Sequence, residues 1–266
     1  MATIKQLEKC IGVSTDTIRH YRECGILNPE LRENGYHEYS INDMIKILMT
    51  KEMRSMDISL KTVKEFLYNR SMLDYTQWLE QREQVLQEQI RLLNLEMERL
   101  QETKVYASCG VRILNQVEEF DGPPTWAVSC AESTRQTIQG TVLEKWIEHF
   151  PFTYVSATIP LNDLMETQGN TPYPIYFGTG ALEKYIDIFS LPLTENAFYQ
   201  KGGHFLRTCI KTKDIFQVTP NDLKPLLDYA KEHHYRFASC TGGRILFAES
   251  KEEEEFYLLI WVNVEK

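Results

Sequence analysis

The six cysteines of this 266-residue chain (Cys10, Cys24, Cys109, Cys130, Cys209 and Cys240) include no Cys-x-x-Cys pair. Neither a disulfide framework nor a tetrahedral zinc site is therefore expected, and no bound metal. No apolar run reaches the roughly 20 residues that span a bilayer. The opening Met1-Ala2-Thr3-Ile4-Lys5-Gln6 also lacks the basic-then-apolar order of a secretory signal. A cytoplasmic protein with no membrane contact is expected. There is no Ser/His/Asp signature or phosphate-binding glycine loop, so no catalytic residue and no cofactor is expected.

What is present describes a globular chain, with 42% hydrophobic, 25% charged and 11% aromatic residues. The length calls for at least two modules. Charge is uneven: residues 1–70 carry 11 Lys+Arg against 10 Asp+Glu, whereas residues 71–266 carry 18 against 28. The acidic total of −9 belongs to the C-terminal part and leaves a small N-terminal module free to present a basic face.

The first segment reads as helix, turn, helix. Ile4, Leu7 and Ile11 share one helical face, Gly12 permits the turn, and Ser14 stands at an N-cap. The second helix, Thr15 to Cys24, turns Val13, Ile18 and Tyr21 inward and offers Thr17, Arg19, His20 and Arg22 to a groove. Asn34-Gly35 between short extended segments predicts a hairpin with positive φ at both turn positions. Two more helices are expected, from Ile41 to Met53 and from Leu60 to Leu67.

From Tyr75 to Lys104 there is neither Gly nor Pro, and Leu79, Leu86, Leu93 and Leu100 recur every seven residues with Ile90 and Met97 between them. That is a coiled-coil seam, and the charge-rich remainder of the helix favours a second copy of the chain as its partner.

After Asp121-Gly122-Pro123-Pro124, two stretches of nearly equal length share an order of elements. The first has a strand at Trp126–Ser129, a helix at Val142–Phe150, and paired strands at Pro174–Phe177 and Lys184–Leu191. The second has a strand at Phe205–Ile210, a helix at Leu223–Glu232, and paired strands at Arg244–Ala248 and Glu255–Val264. Duplicated β-α-β-β units predict two antiparallel sheets edge to edge with a cleft between them. The fold class expected is α+β.

The run Gly12-Val13-Ser14-Thr15-Asp16-Thr17-Ile18-Arg19-His20-Tyr21, with Gly25-Ile26-Leu27, Asn34-Gly35-Tyr36 and Leu60-Lys61-Thr62-Val63, resembles the MerR family of transcription regulators. The resemblance covers residues 1–105. It implies a winged helix-turn-helix domain over 1–74 and a dimerising coiled coil over 75–108. It further implies a homodimer on double-stranded promoter DNA that distorts the duplex for RNA polymerase. DNA contacts are expected from Ser14, Thr17, Arg19, His20, Tyr21, Arg22, Tyr36, His37, Tyr39 and Lys61. Two departures stand out. The wing reads Tyr36-His37-Glu38-Tyr39 where the family has Tyr-Arg-Tyr-Tyr, and His20 replaces the family's frequent Tyr.

The closing segment Glu255-Phe256-Tyr257-Leu258-Leu259-Ile260-Trp261-Val262-Asn263-Val264, with the order and duplication of the elements after the coiled coil, resembles the last strand of the GyrI-like effector-binding domain of BmrR-type multidrug sensors, which the resemblance places over residues 109–266. That resemblance implies a pocket for a lipophilic aromatic small molecule, with Trp126, Tyr154, Tyr173, Tyr176, Tyr199, Phe247, Tyr257 and Trp261 as its candidate lining. Aligning the last strand puts Leu259 where relatives carry a buried Glu, with Asp187 and Glu249 as candidate replacements. Without that acid, neutral aromatic ligands are favoured over cations. The function expected is a ligand-responsive regulator, mainly an activator, rather than an enzyme. A GyrI-like hydrolase fused to a DNA-binding module is the alternative, and a C-terminal domain that binds a protein partner or no effector is a third reading.

Overall fold

Helix α1 (Ile4–Ile11) begins at a reciprocal cap in which Thr3 and Gln6 satisfy each other's backbone N–H groups. It ends at Gly12, whose φ of 67° lets its N–H reach the Glu8 carbonyl. Helix α2 (Thr15–Glu23) follows at once, with Ser14 Oγ accepting from the Thr17 N–H. The structure is a computed structural model and describes residues 2–132, 140–195, 197–251 and 253–266. Met1, Asn196 and Glu252, which the sequence reading touched, lie outside the described residues. The chain divides into two compact units, Met1–Arg91 and Leu92–Lys266.

In the first unit the wing pairs β1 (Glu30–Leu31) with β2 (His37–Glu38), Glu30 opposite Glu38 and Leu31 opposite His37. The two-residue turn expected at Asn34-Gly35 is instead a wider one. The Arg32 N–H donates to the Tyr36 carbonyl and the Gly35 N–H to the Arg32 carbonyl, and only Gly35 takes positive φ (78°). A type I turn closed by a left-handed glycine needs just one such residue. Helices α3 (Ile41–Ser55) and α4 (Leu60–Tyr68) start at Ser40 and Ser59 and enclose Leu7, Ile18, Ile26, Ile47 and Val63.

Helix α5 (Met72–Arg112) runs 41 residues, longer at both ends than its glycine-free core. Ser71 and Asp74 cap its start reciprocally. Leu86, Ile90, Leu93, Met97 and Leu100 lie on its surface, whereas Arg99, Cys109 and Gly110 are buried. Among the described residues no helix is long and apolar enough to cross a membrane.

The second unit is built on ten residue spans in chain order after α5: β3 (Val117–Gly122), β4 (Thr125–Glu132), α6 (Gly140–Ile147), β5 (Thr153–Thr158), α7 (Leu161–Glu166), β6 (Tyr176–Leu182), α8 (Glu183–Phe189), β7 (Phe198–Gln200), β8 (Gly203–Thr212) and α9 (Lys224–Glu232). The long hairpin β9 (Arg236–Ser250) and β10 (Glu254–Glu265) closes the chain. The strands form one curled antiparallel sheet in the order β3-β8-β10-β9-β5-β6-β4-β7. The two halves expected to lie edge to edge are joined into one sheet, with a single residue pair, Ser156 with Arg244, linking β5 to β9. The order reads the same from either end, repeat β4-α6-β5-β6 mirroring β8-α9-β9-β10, and each outer strand comes from the segment preceding the opposite repeat.

A second correction concerns Lys184–Leu191, expected as a strand and observed as α8. Tyr185 and Ile186 are adjacent and both buried, and with Phe189 they make one helical face; a strand would send the first two to opposite sides. The strand role passes to β5, which the sequence reading did not find. Along β10 the alternation holds. Leu258, Ile260, Val262 and Val264 pack on Leu223, Leu226 and Ala230 around α9, while Leu259 and Trp261 pack on Cys109 and Ile113 at the end of α5 and just beyond.

Candidate functional site

On the first unit, Ser14, Arg19 and His20 are exposed along α2, and Thr17 and Arg22 are half-buried. Arg19 pairs with Asp16, one turn back, at 3.2 Å. Tyr36 is exposed at the wing tip, His37 is half-buried beside it, and Lys61 is exposed in the first turn of α4. The wing carboxylate Glu38 pairs with Arg32 across the hairpin. Two expected contact residues lie elsewhere: Tyr21 is 6% exposed and Tyr39 1%, both inside the core. Tyr21 follows Ile18 by three residues and so shares its inward face. Tyr39 is tied to Ala2 by two backbone hydrogen bonds that turn it under α1. Burial pushes both phenols above their ordinary pKa, against the pull of Arg54 on Tyr21 and of Arg22 and Arg19 on Tyr39.

On the second unit, Tyr154 of β5 stands between two adjoining recesses. One is lined by Tyr106, Phe120, Thr125, Phe205, Arg244 and Trp261, the other by Thr125, Ala127, Ser156, Phe198, Gln200 and Gly242. Each has about 10 Å³ of free volume, room for about one water. Glycines form the floor beneath the large rings. A Cβ on Gly180 would stand 2.7 Å from the Tyr154 ring, and one on Gly242 would stand 2.3 Å from the Trp261 ring. Gln200 locks the second recess: its Oε1 accepts from Trp261 Nε1 at 2.7 Å and Thr125 Oγ1 at 3.2 Å, and its Nε2 donates to the Cys240 carbonyl at 2.7 Å.

Two arginines flank Tyr154. Arg244, 9% exposed, lies 5.3 Å from the Tyr154 ring centre and 5.2 Å from that of Tyr106, and its Nη2 donates to Thr103 Oγ1 at 3.3 Å. Its Nη1 is buried with no hydrogen-bond partner among the described residues. Burial, and then the neighbouring Arg99 charge, brings its pKa down to about 10, so it stays protonated at neutral pH. Arg99, 1% exposed, donates from Nε to the Pro151 carbonyl at 2.8 Å and pairs with Glu102 at 2.9 Å. Glu102 also takes Lys184 at 2.8 Å. Burial pushes the Tyr154 phenol far above its ordinary pKa, so it is a neutral donor at any physiological pH.

Of the eight aromatic residues expected to line a pocket, Tyr154 and Trp261 line these two recesses, and among the described residues the other six lie elsewhere. Trp126 alternates with Thr125 and Ala127 along β4 and therefore faces away, against Tyr199, at 4.5 Å between ring centres. Tyr173 is in the core around α9, Tyr176 meets the edge of Phe198, Phe247 is exposed, and Tyr257 lies under Lys211 with its hydroxyl donating to Glu249. Neither candidate acid reaches the cavity: Asp187 is exposed on α8, and Glu249 is held by Lys211 and Lys251. The sequence reading missed Arg244, Gln200, Tyr106 and Phe120. The one available signal was Gly242-Gly243-Arg244, where two small residues precede a cation inside an apolar strand. Among the described residues, no group of three His, Cys, Asp or Glu side chains stands together as a metal site would.

Residues 2–70 match the MerR HTH family regulatory protein family. The chain is 34% identical over 65 residues to Heavy metal-dependent transcription regulator 2 of Rhizobium meliloti (strain 1021), covering 24% of this chain and 44% of that one. It is 30% identical over 56 residues to the HTH-type transcriptional regulator HmrR of Rhizobium leguminosarum bv. viciae, covering 21% and 43%. The chain thus spans less than half the length of these curated relatives. Among solved structures, the N-terminal part of MtaN, the Bacillus subtilis multidrug transporter activator, is 24% identical with a TM-score of 0.35, over 39% of this chain and 97% of that one. EcmrR in its DNA complex is 13% identical with a TM-score of 0.37, over the whole of both chains. The chain carries, over residues 2–70, the helix-turn-helix domain of the MerR family of regulators.

Proposed function

We propose that the chain is a ligand-responsive transcription regulator, an activator that binds double-stranded promoter DNA as a homodimer and distorts it so that RNA polymerase engages the promoter. The observation that carries this reading is that, within a MerR-family domain, α2 turns Arg19 and His20 to the surface beside a wing while Ile18 and Tyr21 face the core. Arginine suits both phosphate contact and bidentate reading of guanine edges. Bending a duplex costs roughly 1–10 kcal/mol, which phosphate contacts from two copies can offset. The leucine stripe of α5 supports the homodimer, because Leu86, Ile90, Leu93, Met97 and Leu100 stay exposed within one chain. On this reading residues 1–74 bind DNA, residues 75–108 dimerise, and residues 109–266 sense a lipophilic aromatic small molecule in the cytoplasm.

The test is selection of duplexes from a random library by the full chain, followed by sequencing. Enrichment of two inverted half-sites, lost in Arg19→Ala, is the expected result. A folded Arg19→Ala protein that enriches the same sequences equally well refutes the assignment of α2.

A further inference from the structure

The cavity of the second unit is lined by one guanidinium and, among the described residues, by no carboxylate. The nearby charges leave that guanidinium in excess. Glu98 and Glu102 are engaged by Lys184, and Glu102 also by Arg99, so in this cluster of two acids and three cations Arg244 has, among the described residues, no ion pair of its own and only the weaker attraction of Glu102. Its cross-strand neighbours are Leu259 on β10 and Ser156 on β5, neither of them charged. Arg244 has one neutral hydrogen bond, to Thr103, and two aromatic faces, and its Nη1 is unpaired. A buried cation in that state is short of a counter-ion, and a planar guanidinium is the side chain best shaped to take an oxyanion through two parallel hydrogen bonds.

We propose that this cavity takes a compact aromatic oxyanion, a carboxylate or sulfonate seated on Arg244 with its ring between Tyr106 and Trp261. The inference rests on the reading of this domain as a small-molecule sensor and gives the ligand its charge. It departs from the sequence expectation of a neutral ligand, because Leu259, in place of an acid, stands opposite the Arg244 cation. In the structure the cavity is closed to about one water, so the ligand enters by displacing rings at its mouth. Tyr106 and Phe120 are the half-buried ones there. Tyr106 and Thr103 both belong to α5, so an oxyanion that draws Arg244 from Thr103 acts directly on the helix that carries the leucine stripe.

The test uses the intact chain and isothermal titration with three probes of one shape: 2-naphthoate, 2-naphthylmethanol and 2-naphthylmethylammonium. Naphthoate is expected to bind at least tenfold tighter than the alcohol, with the ammonium weakest. Arg244→Gln is expected to bring acid and alcohol within about twofold of each other, and Arg244→Lys to keep part of the preference. If the glutamine variant does not fold, the wild-type ranking and the lysine variant decide. Binding of the alcohol or ammonium as tightly as the acid, or a preference for the acid that survives in folded Arg244→Gln, overturns the anion assignment while leaving the sensor reading in place. Absence of binding by all three overturns both.

Discussion

Removing either member of the buried pair Arg99–Glu102 should have very unequal effects. Arg99 is 1% exposed, and among the described residues Glu102 is its one ion-pair partner; Glu102 is partly exposed and has Lys184 in addition. In Glu102→Gln the Arg99 charge stays buried without an anion, beside the like charge of Arg244, and breaking a buried pair in this way costs about 3–5 kcal/mol. In Arg99→Met the carboxylate keeps Lys184 and the repulsion on Arg244 disappears. What is lost is the hydrogen bond to the Pro151 carbonyl and the ring contacts, together about 1–2 kcal/mol. With a urea dependence of about 2 kcal/mol/M, the two midpoints should differ by about 1 M, the glutamine variant unfolding first. Tryptophan emission in a Trp78→Phe background reports the second unit alone, through Trp126, Trp146 and Trp261. Equal midpoints, or a lower midpoint for Arg99→Met, would show that the pair is not the asymmetric one described.

Three further outcomes are expected. Arg19→Ala should weaken DNA binding at unchanged melting temperature, by about 1–3 kcal/mol if the side chain reads a base, whereas Tyr21→Ala should destabilise the first unit by about 3–5 kcal/mol, as thermal melts beside anisotropy titrations will tell apart. Leu86→Asp with Leu93→Asp should give a folded monomer by light scattering, since these side chains are 42% and 61% exposed within one chain and only a second copy would bury them; a persisting dimer places the contact elsewhere. Burial works against the charge of Glu118, but hydrogen bonds and proximity to Arg207 and Arg112 hold its carboxyl below the ordinary value. Its contribution is therefore full above the unfolded pKa of about 4.3 and lost as pH falls through the lower folded value. Acid titration of stability should be shallower in Glu118→Gln, and an unchanged profile would remove that contribution.

The first 112 residues were legible because their signals are local. Serine caps, a glycine turn and heptad leucines each act within a few residues, and α1 to α5 begin within about a turn of where those signals put them. The second unit was legible where a strand is a long continuous apolar run, as in β10, and opaque where pairing is distant. Strand β5 is six residues, Thr153–Thr158, with β-branched and aromatic side chains between two prolines, but both of its faces are buried and it lacks the polar–apolar alternation that would have marked it. The cavity was the least legible part. Its aromatic supply was visible, but which ring faces inward depends on strand parity fixed by partners about 90 residues away. Arg244 gains its meaning only when β9 meets β5 and the end of α5 covers both. Of the aromatic residues that do not line the cavity, Tyr173 and Trp126 pack in or against the core, whereas Tyr199 and Phe247 are exposed.

The exchange of outer strands between the two repeats bears on how the second unit assembles. Strand β3 precedes the first repeat but pairs with β8 of the second, and β7 precedes the second but pairs with β4 of the first. Neither half completes its sheet from its own stretch of chain, so neither should persist as an independent fragment, and the unit should fold in one cooperative step. The pairs that close it, such as Val117 with Thr208 and Thr125 with Gln200, join residues far apart along the polypeptide. Such distant pairing must bear its loop-closure entropy before contacts compensate it, so the folding rate should be slow compared with that of the helical N-terminal unit. On a ribosome, β3 would emerge about 80 residues before its partner and wait there as an unpaired edge, with Glu118, Glu119 and Asp121 as the charges that discourage wrong pairing in the interval.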